Sequence, residues 1–207
     1  RDRAEFPTEG SSATLTSTFS GGFLKGDEHY HKHLLNLDWY TPTVWKFVLT
    51  SSLKIGTIKM LKVNNRSYTY IPPYERFIMG GNGIPYGTML RGYPDNSIGP
   101  LTTQGRGSGG NTMIKYTTEF RFPFSENPVV YAMLFAEAGN VWQDTRLMSM
   151  LQYERTNPLD LKRSAGVGIR FFMPMIGKLG FDVGYGFDDI TGNGEPQGWE
   201  YTIIFGN

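Results

Sequence analysis

Apolar and polar residues alternate along most of the chain. In Phe181-Asp182-Val183-Gly184-Tyr185-Gly186-Phe187, the Phe, Val, Tyr and Phe share one face and Asp, Gly and Gly the other. Trp199, Tyr201, Ile203 and Phe205 likewise share one face, and residues 165–171 alternate apolar residues with Gly166, Gly168 and Arg170. A period of two marks β-strands, whose side chains leave the two faces in turn. The pattern predicts eight strands, at 11–22, 30–41, 44–57, 111–122, 129–142, 162–173, 179–187 and 198–206. Helical spacing is hard to find.

Several of these strands reach ten residues or more, above the soluble norm of about five to six. A tilted strand of about ten residues extends ~33 Å and crosses an apolar band ~25 Å tall. Bulky apolar residues fall on the outward set of positions, while Gly, Thr, Asp, Lys, Glu and Arg fall on the inward set. A soluble sandwich would show the reverse. The expectation is an all-β fold, an antiparallel transmembrane β-barrel. Connections alternate in length, as in outer-membrane barrels. Short proline-marked links at 41–43, 123–128 and 174–178 face longer ones at 23–29, 58–110, 143–161 and 188–197. The 58–110 link far exceeds the ~12–15 residues usual for a structureless loop, and its Ile, Met, Tyr and Leu residues argue for order.

Composition sharpens this picture. The 207 residues include 26 Gly, 14% aromatic and only 19% charged residues, so the chain is neither collagenous nor disordered. A net charge of +1 gives no footprint for nucleic acid. With no Cys, disulfide scaffolds and thiolate metal sites are excluded. No apolar run approaches the ~18–20 residues of a spanning helix, which says nothing against a barrel.

Strand parity places Glu119 with Lys115, Thr117 and Arg121, and Glu137 with Tyr131, Met133 and Phe135. Both glutamates therefore point inward from adjacent strands, and facing carboxylates call for a cation. Other motifs read more blandly. His29, His31 and His33 share a face, but a third imidazole lies too far along a strand to join two others on one metal ion. Gly105 to Gly110 fits G-x-G-x-x-G but neither follows an apolar strand nor opens a helix. Trp45, Trp142 and Trp199, with Tyr40, lie near strand ends and read as an interfacial aromatic girdle. No hydrolytic triad or metal motif is found, so no metal, cofactor or catalytic residue is expected.

The segment Leu90-Arg91-Gly92-Tyr93-Pro94-Asp95-Asn96-Ser97-Ile98-Gly99-Pro100 resembles the Arg-Gly-Phe/Tyr loop of the BamA family of outer-membrane protein assembly factors. Glu75 to Gly81 resembles the lead-in to that loop, and Thr118 to Pro123 the strand after it. Phe135 to Trp142 resembles the family's acidic-x-Gly-x-Val-Trp strand, and Leu161 to Gly180 its last hairpin but one. Phe135 to Asn140 and Asn157 to Arg170 are most similar to Bacteroidota members. The likeness covers essentially the whole chain.

The resemblance implies that residues 1–207 are the last eight strands of a sixteen-stranded barrel, with the upstream half and the periplasmic POTRA domains absent. It implies that the 58–110 loop folds into the lumen as a strut. Arg91 would meet Glu119 and Glu137, Gly92 would let the backbone pass close to the wall, and Tyr93 completes the motif. Spacing alone instead favours a solvated arginine and solvated glutamates. Glu137 stands where the family more often has Asp. A strut in a wet lumen contributes ~1 kcal/mol or less. In a dry one, loss of Arg91 costs roughly 3–5 kcal/mol by stranding the carboxylates.

The implied function is a non-enzymatic outer-membrane insertase, working without ATP through a lateral gate. Its last strand here is Gly198, Trp199, Tyr201, Ile203, Phe205 and Gly206, with the two glycines weakening the seam. The implied partners are unfolded outer-membrane proteins, accessory lipoproteins, and outer-membrane lipid and lipopolysaccharide. The alternatives are a two-partner-secretion transporter of the same superfamily, or a self-contained eight-stranded structural or adhesion barrel. An eight-stranded lumen is filled by its own side chains and leaves little room for a loop of this length.

Overall fold

The computed structural model describes residues 1–2, 6–22, 27–63, 66–67, 71–84, 86–100, 108–126, 129–143, 160–173 and 177–205. Its strands are β1 (Gly10–Ser20), β2 (Tyr30–Pro42), β3 (Val48–Met60), β4 (Lys62–Val63), β5 (Arg66–Ser67), β6 (Thr112–Glu126), β7 (Val129–Trp142), β8 (Lys162–Met173), β9 (Gly177–Gly186) and β10 (Gly198–Phe205). The eight long strands form one antiparallel sheet in chain order, with β4 and β5 a separate two-stranded ribbon. Strands β1 and β10 are the two edges, so the sheet does not close on itself. A self-contained eight-stranded barrel is therefore not what these strands form.

Register explains the two faces. Leu49, Phe120, Leu134, Val167, Val183 and Tyr201 are successive cross-strand partners from β3 to β10. Leu49, Leu134, Val167 and Tyr201 of this belt are exposed. One residue further along each strand the direction reverses, and Met133, Phe135, Glu137, Arg170, Asp182 and Thr202 are buried. An apolar outer belt over a polar inner wall is the arrangement a bilayer selects.

Some boundaries differ from expectation. The alternation at Val44-Trp45-Lys46-Phe47 reads as strand, yet these residues form the turn after β2. Thr43 N–H donates to the Phe47 carbonyl at 2.9 Å, and Trp45 takes a left-handed φ of 68°. A left-handed residue cannot continue a strand, so the chain turns at Trp45 and β3 begins only at Val48, the partner of Pro42. Conversely, 123–128 is mostly strand. β6 runs on to Glu126 through a register irregularity between Pro123 and Ser125, which leaves Phe124 exposed. The girdle also needs correction. Trp39, Trp45 and Trp199 are exposed, but Trp142 is buried, and Tyr40 lines the inner cavity because it has the opposite parity to Trp39.

The inner face is covered by residues 71–100. Apart from one 3-10 turn at Pro73–Glu75, this segment has no regular structure among its described residues. It is nevertheless ordered by isolated bridges, Phe77 to Gly110, Met79 to Ile98 and Gly81 to Leu90. Phe77, Met79, Leu90, Tyr93 and Ile98 form a core with Tyr30, Ile58, Met113 and Val141 of the wall. Glycines in the wall make room for it: a Cβ on Gly139 would lie 2.8 Å from the Met79 sulfur.

Candidate functional site

The hairpin β6–β7 pairs Thr117 with Glu137 and Glu119 with Phe135, so both glutamates reach the inner face from neighbouring strands. The segment 71–100 brings Arg91 between them. One terminal guanidinium nitrogen of Arg91 donates at 2.8 Å to both Glu119 Oε1 and Glu137 Oε1. The Arg91 backbone N–H donates to Glu137 Oε2 at 2.7 Å. The other terminal nitrogen lies 3.5 Å from Asp182 Oδ2 on β9, and the guanidinium stacks 3.8 Å above the Phe135 ring. Arg91 is only 2% exposed, so these contacts are made away from water.

Each carboxylate also has a cation of its own within the wall. Lys115 Nζ is 2.9 Å from Glu137, Arg121 binds Glu119 through two nitrogens at 2.8 and 3.0 Å, and Arg170 forks onto Asp182. The site is thus three wall ion pairs joined by a fourth cation from the loop. Arg91 Nε is left without a partner. Removing Arg91 would therefore not strand the carboxylates, contrary to the expectation above.

Gly92 passes between loop and wall. Its φ is +83°, and a Cβ there would come within 2.9 Å of Ser164 Cβ and 3.0 Å of the Tyr185 backbone. Facing it, a Cβ on Gly184 would lie 2.8 Å from Gly92 N. Only glycine satisfies both the left-handed backbone and the close approach. Tyr93 then buries its ring and donates its hydroxyl to the Arg163 carbonyl at 2.6 Å. Burial, with the Asp188 carboxylate beside it, pushes the phenol up, so the hydroxyl remains a donor. Burial also pushes Asp188 up, but hydrogen bonds from Arg163 outweigh it and hold the carboxyl below its usual range.

The structure thus brings Arg91, Gly92, Tyr93, Glu119 and Glu137 together. Asp182, Arg170 and Lys115 belong to the same cluster and were not assigned to it from sequence. Their inward parity was readable, and the β8–β9 register, which pairs Gly168 with Asp182, sets Arg170 diagonally beside that aspartate. What the alternation could not give is which strands the loop would reach.

The β10 residues Gly198, Trp199, Tyr201, Ile203 and Phe205 lie apart, along a strand paired only with β9 among the described residues. Trp199, Tyr201, Ile203 and Phe205 are exposed on the outer face, while Gly206 lies outside the described residues. The histidines do not converge. His31 and His33 meet each other at 2.9 Å, while His29 Nδ1 accepts from Gly22 N–H. Among the described residues, no group of three His, Cys, Asp or Glu could hold a metal ion. Residues 105–107 of the glycine-rich motif lie outside the described residues.

A sheet of long strands, apolar outside and charged inside, with a loop docked on its inner wall, defines an outer-membrane β-barrel. The Omp85 superfamily domain matches residues 1–203, and the chain belongs to the Omp85 superfamily. It is 25% identical over 206 residues to the outer membrane protein assembly factor BamA of Nitratidesulfovibrio vulgaris, covering 99% of this chain and 24% of that protein. The crystal structure of BamA from Haemophilus ducreyi lacking POTRA domains 1–3 has the same fold. Its TM-score is 0.74 at 23% identity, over 98% of this chain and 39% of the other. The chain therefore spans about a quarter of the curated relative it matches.

Proposed function

We propose that the protein is an outer-membrane insertase, which folds and inserts other β-barrel proteins, and that these eight strands form half of a sixteen-stranded barrel. The observation that carries this is the docked loop. Arg91 joins pairs on β6, β7, β8 and β9 into one wall, whereas β10 takes no part in that cluster. A strand edge freed at the seam of the closed barrel can template an incoming strand through main-chain hydrogen bonds. Gly198 enters β10 with a φ of +88°, which suits a seam that opens. On this reading β10 is one side of a lateral gate, and strand exchange there drives insertion without nucleotide. Its partners are unfolded outer-membrane proteins arriving from the periplasm, accessory lipoproteins, and the surrounding lipid and lipopolysaccharide. Superfamily membership and the likeness to BamA support this reading.

The test replaces Arg91 with Ala in the full-length parent protein, in cells depleted of the native copy. All outer-membrane barrel proteins are then quantified by mass spectrometry, alongside the folded level of the variant. The insertase reading expects many unrelated barrels to fall together while the variant stays folded. Loss of a single exported protein would replace it with a transporter of the two-partner-secretion kind.

A further inference from the structure

We infer that the outer face of the wall carries a binding site for one phosphorylated lipid, with an acyl chain in an alanine-floored groove and the phosphate on Arg163. The inference rests on the outer-membrane barrel fold and not on the insertase reading. The groove has a volume of about 490 Å³ and lies over β6, β7 and β8. Strands β1, β2 and β3 flank it on one side and β9 and β10 on the other. Strands that complete a barrel join at β1 and β10, so they extend the wall and leave this outer surface to the bilayer. Elsewhere the outer belt carries large exposed side chains, such as Leu134, Val167 and Phe181. Here register sets Ala138 between Tyr116 and Arg163, and Ala136 between Thr118 and Ala165. The methyl groups of Ala136, Ala138 and Ala165 form a sunken floor. Glu137, between two of them, turns its carboxylate to Arg91 on the inner wall.

Anchored rings flank that floor. The Tyr116 hydroxyl donates to Ser51 Oγ at 3.3 Å, and on the other side the Phe187 N–H donates to the Arg163 carbonyl at 2.9 Å, with its ring 5.4 Å from that of Tyr185. Lipid tails are as apolar as the wall, so what favours a chain in the recess is dispersion against the floor and the rings. The chain's lost freedom opposes it, and a headgroup contact decides whether one lipid stays. Arg163 supplies that contact. Its side chain is 66% exposed near the start of β8. An arginine on the lipid face is costly at mid-bilayer and tolerated near headgroups, so it marks the headgroup end of the groove. Asp188 accepts from its Nε at 3.3 Å and from one terminal nitrogen at 2.9 Å. A guanidinium has more N–H donors than this pair uses, so Asp188 fixes the planar fork and leaves donors for a phosphate. The carboxylate itself is occupied by the Arg163 backbone N–H and the Tyr93 hydroxyl, and Arg163 lines the groove where Asp188 does not.

The experiment titrates the full-length parent protein in detergent micelles with two lipids and counts bound molecules by native mass spectrometry. One lipid is phosphatidylglycerol and the other a diacylglycerol with the same chains, which lacks the phosphate. Phosphatidylglycerol is expected to bind about five-fold more tightly, as a partly exposed ion pair gives. Arg163→Gln should abolish that preference by weakening phosphatidylglycerol alone. Ala138→Phe, which fills the floor from the lipid side, should weaken both lipids. A heat-dependent gel shift checks that each variant is a folded barrel. A merely structural role for Arg163 would weaken the two lipids alike. Equal binding of the two lipids by the unaltered protein, or an unchanged preference in Arg163→Gln, overturns the inference. Undiminished binding of both in Ala138→Phe overturns it as well. Should Arg163→Gln lower the folded level, the preference of the unaltered protein and Ala138→Phe decide the matter.

Discussion

The connections at 71–100 and 187–197 leave the wall at the same end and have opposite fates. The first turns inward and buries Ile71, Phe77, Met79, Leu90, Tyr93 and Ile98. The second keeps residues 191–196 exposed and is held mainly by one side chain, Asp189, which accepts bonds from the backbone of Thr191, Gly192 and Gly194. Each connection solves the problem of unpaired backbone groups differently. Residues 71–100 borrow partners and apolar contacts from the wall, whereas in the second connection Asp188 and Ile190 still reach Tyr93, Arg163 and the inner core and only the tip, 189–194, closes on itself around a carboxylate. Apolar content decides which route is open, because only burial offsets the entropy of ordering a long segment.

The same contrast predicts an asymmetry between the two sides of the Arg91 cluster, and breaking it from the wall side should do most damage. Glu137→Ala removes the acceptor shared by the Arg91 guanidinium, the Arg91 backbone and Lys115. Two cations are left poorly compensated in a dry site, for an expected loss of roughly 3–5 kcal/mol. Arg91→Ala should cost less, about 1.5–3 kcal/mol, the range of charged hydrogen bonds, because Lys115, Arg121 and Arg170 remain on the carboxylates. Denaturant midpoints of the two variants in the full-length barrel decide the matter. An Arg91→Ala loss larger than that of Glu137→Ala would falsify the idea that the wall is self-sufficient.

That asymmetry also marks what could be read from the sequence. Period two gave every long strand, because a wall between lipid and water constrains alternate positions so strongly. It placed Glu119 and Glu137 on one face for the same reason. It misread Val44 to Phe47, where alternation is real but Trp45 turns the chain through a left-handed backbone, and it misassigned Trp142, whose surroundings at the end of β7 are buried on both faces. The inward path of 71–100 was legible only through resemblance. Its contacts pair residues far apart in sequence, such as Arg91 with Asp182, and no local period reports them. The wall cations that complete the cluster follow from register, which alternation alone does not fix.

The smallest expected effect lies in the other connection and should leave the first untouched. Asp189 has its pKa lowered to about 2, chiefly by the backbone hydrogen bond from Gly194, with those from Gly192 and Thr191 adding to it. A carboxyl whose folded value lies below its unfolded value of about 3.8 stabilises its fold fully above that pH, and the contribution fades as pH falls towards the folded value. The bonds that Asp189 accepts come from its own connection, so the loss is local to 187–197 and not a melting of the wall. Hydrogen exchange of the Gly192 and Gly194 amides should therefore rise, relative to neighbouring amides, between about pH 4 and pH 2. In Asp189→Asn, which has no charge to lose, that pH-dependent rise should be absent. The amides of Met79 to Ile98 should show no change over the same range in either protein. If they open together with Gly192 and Gly194, the two connections are coupled and the division between a borrowed and a self-closed loop fails.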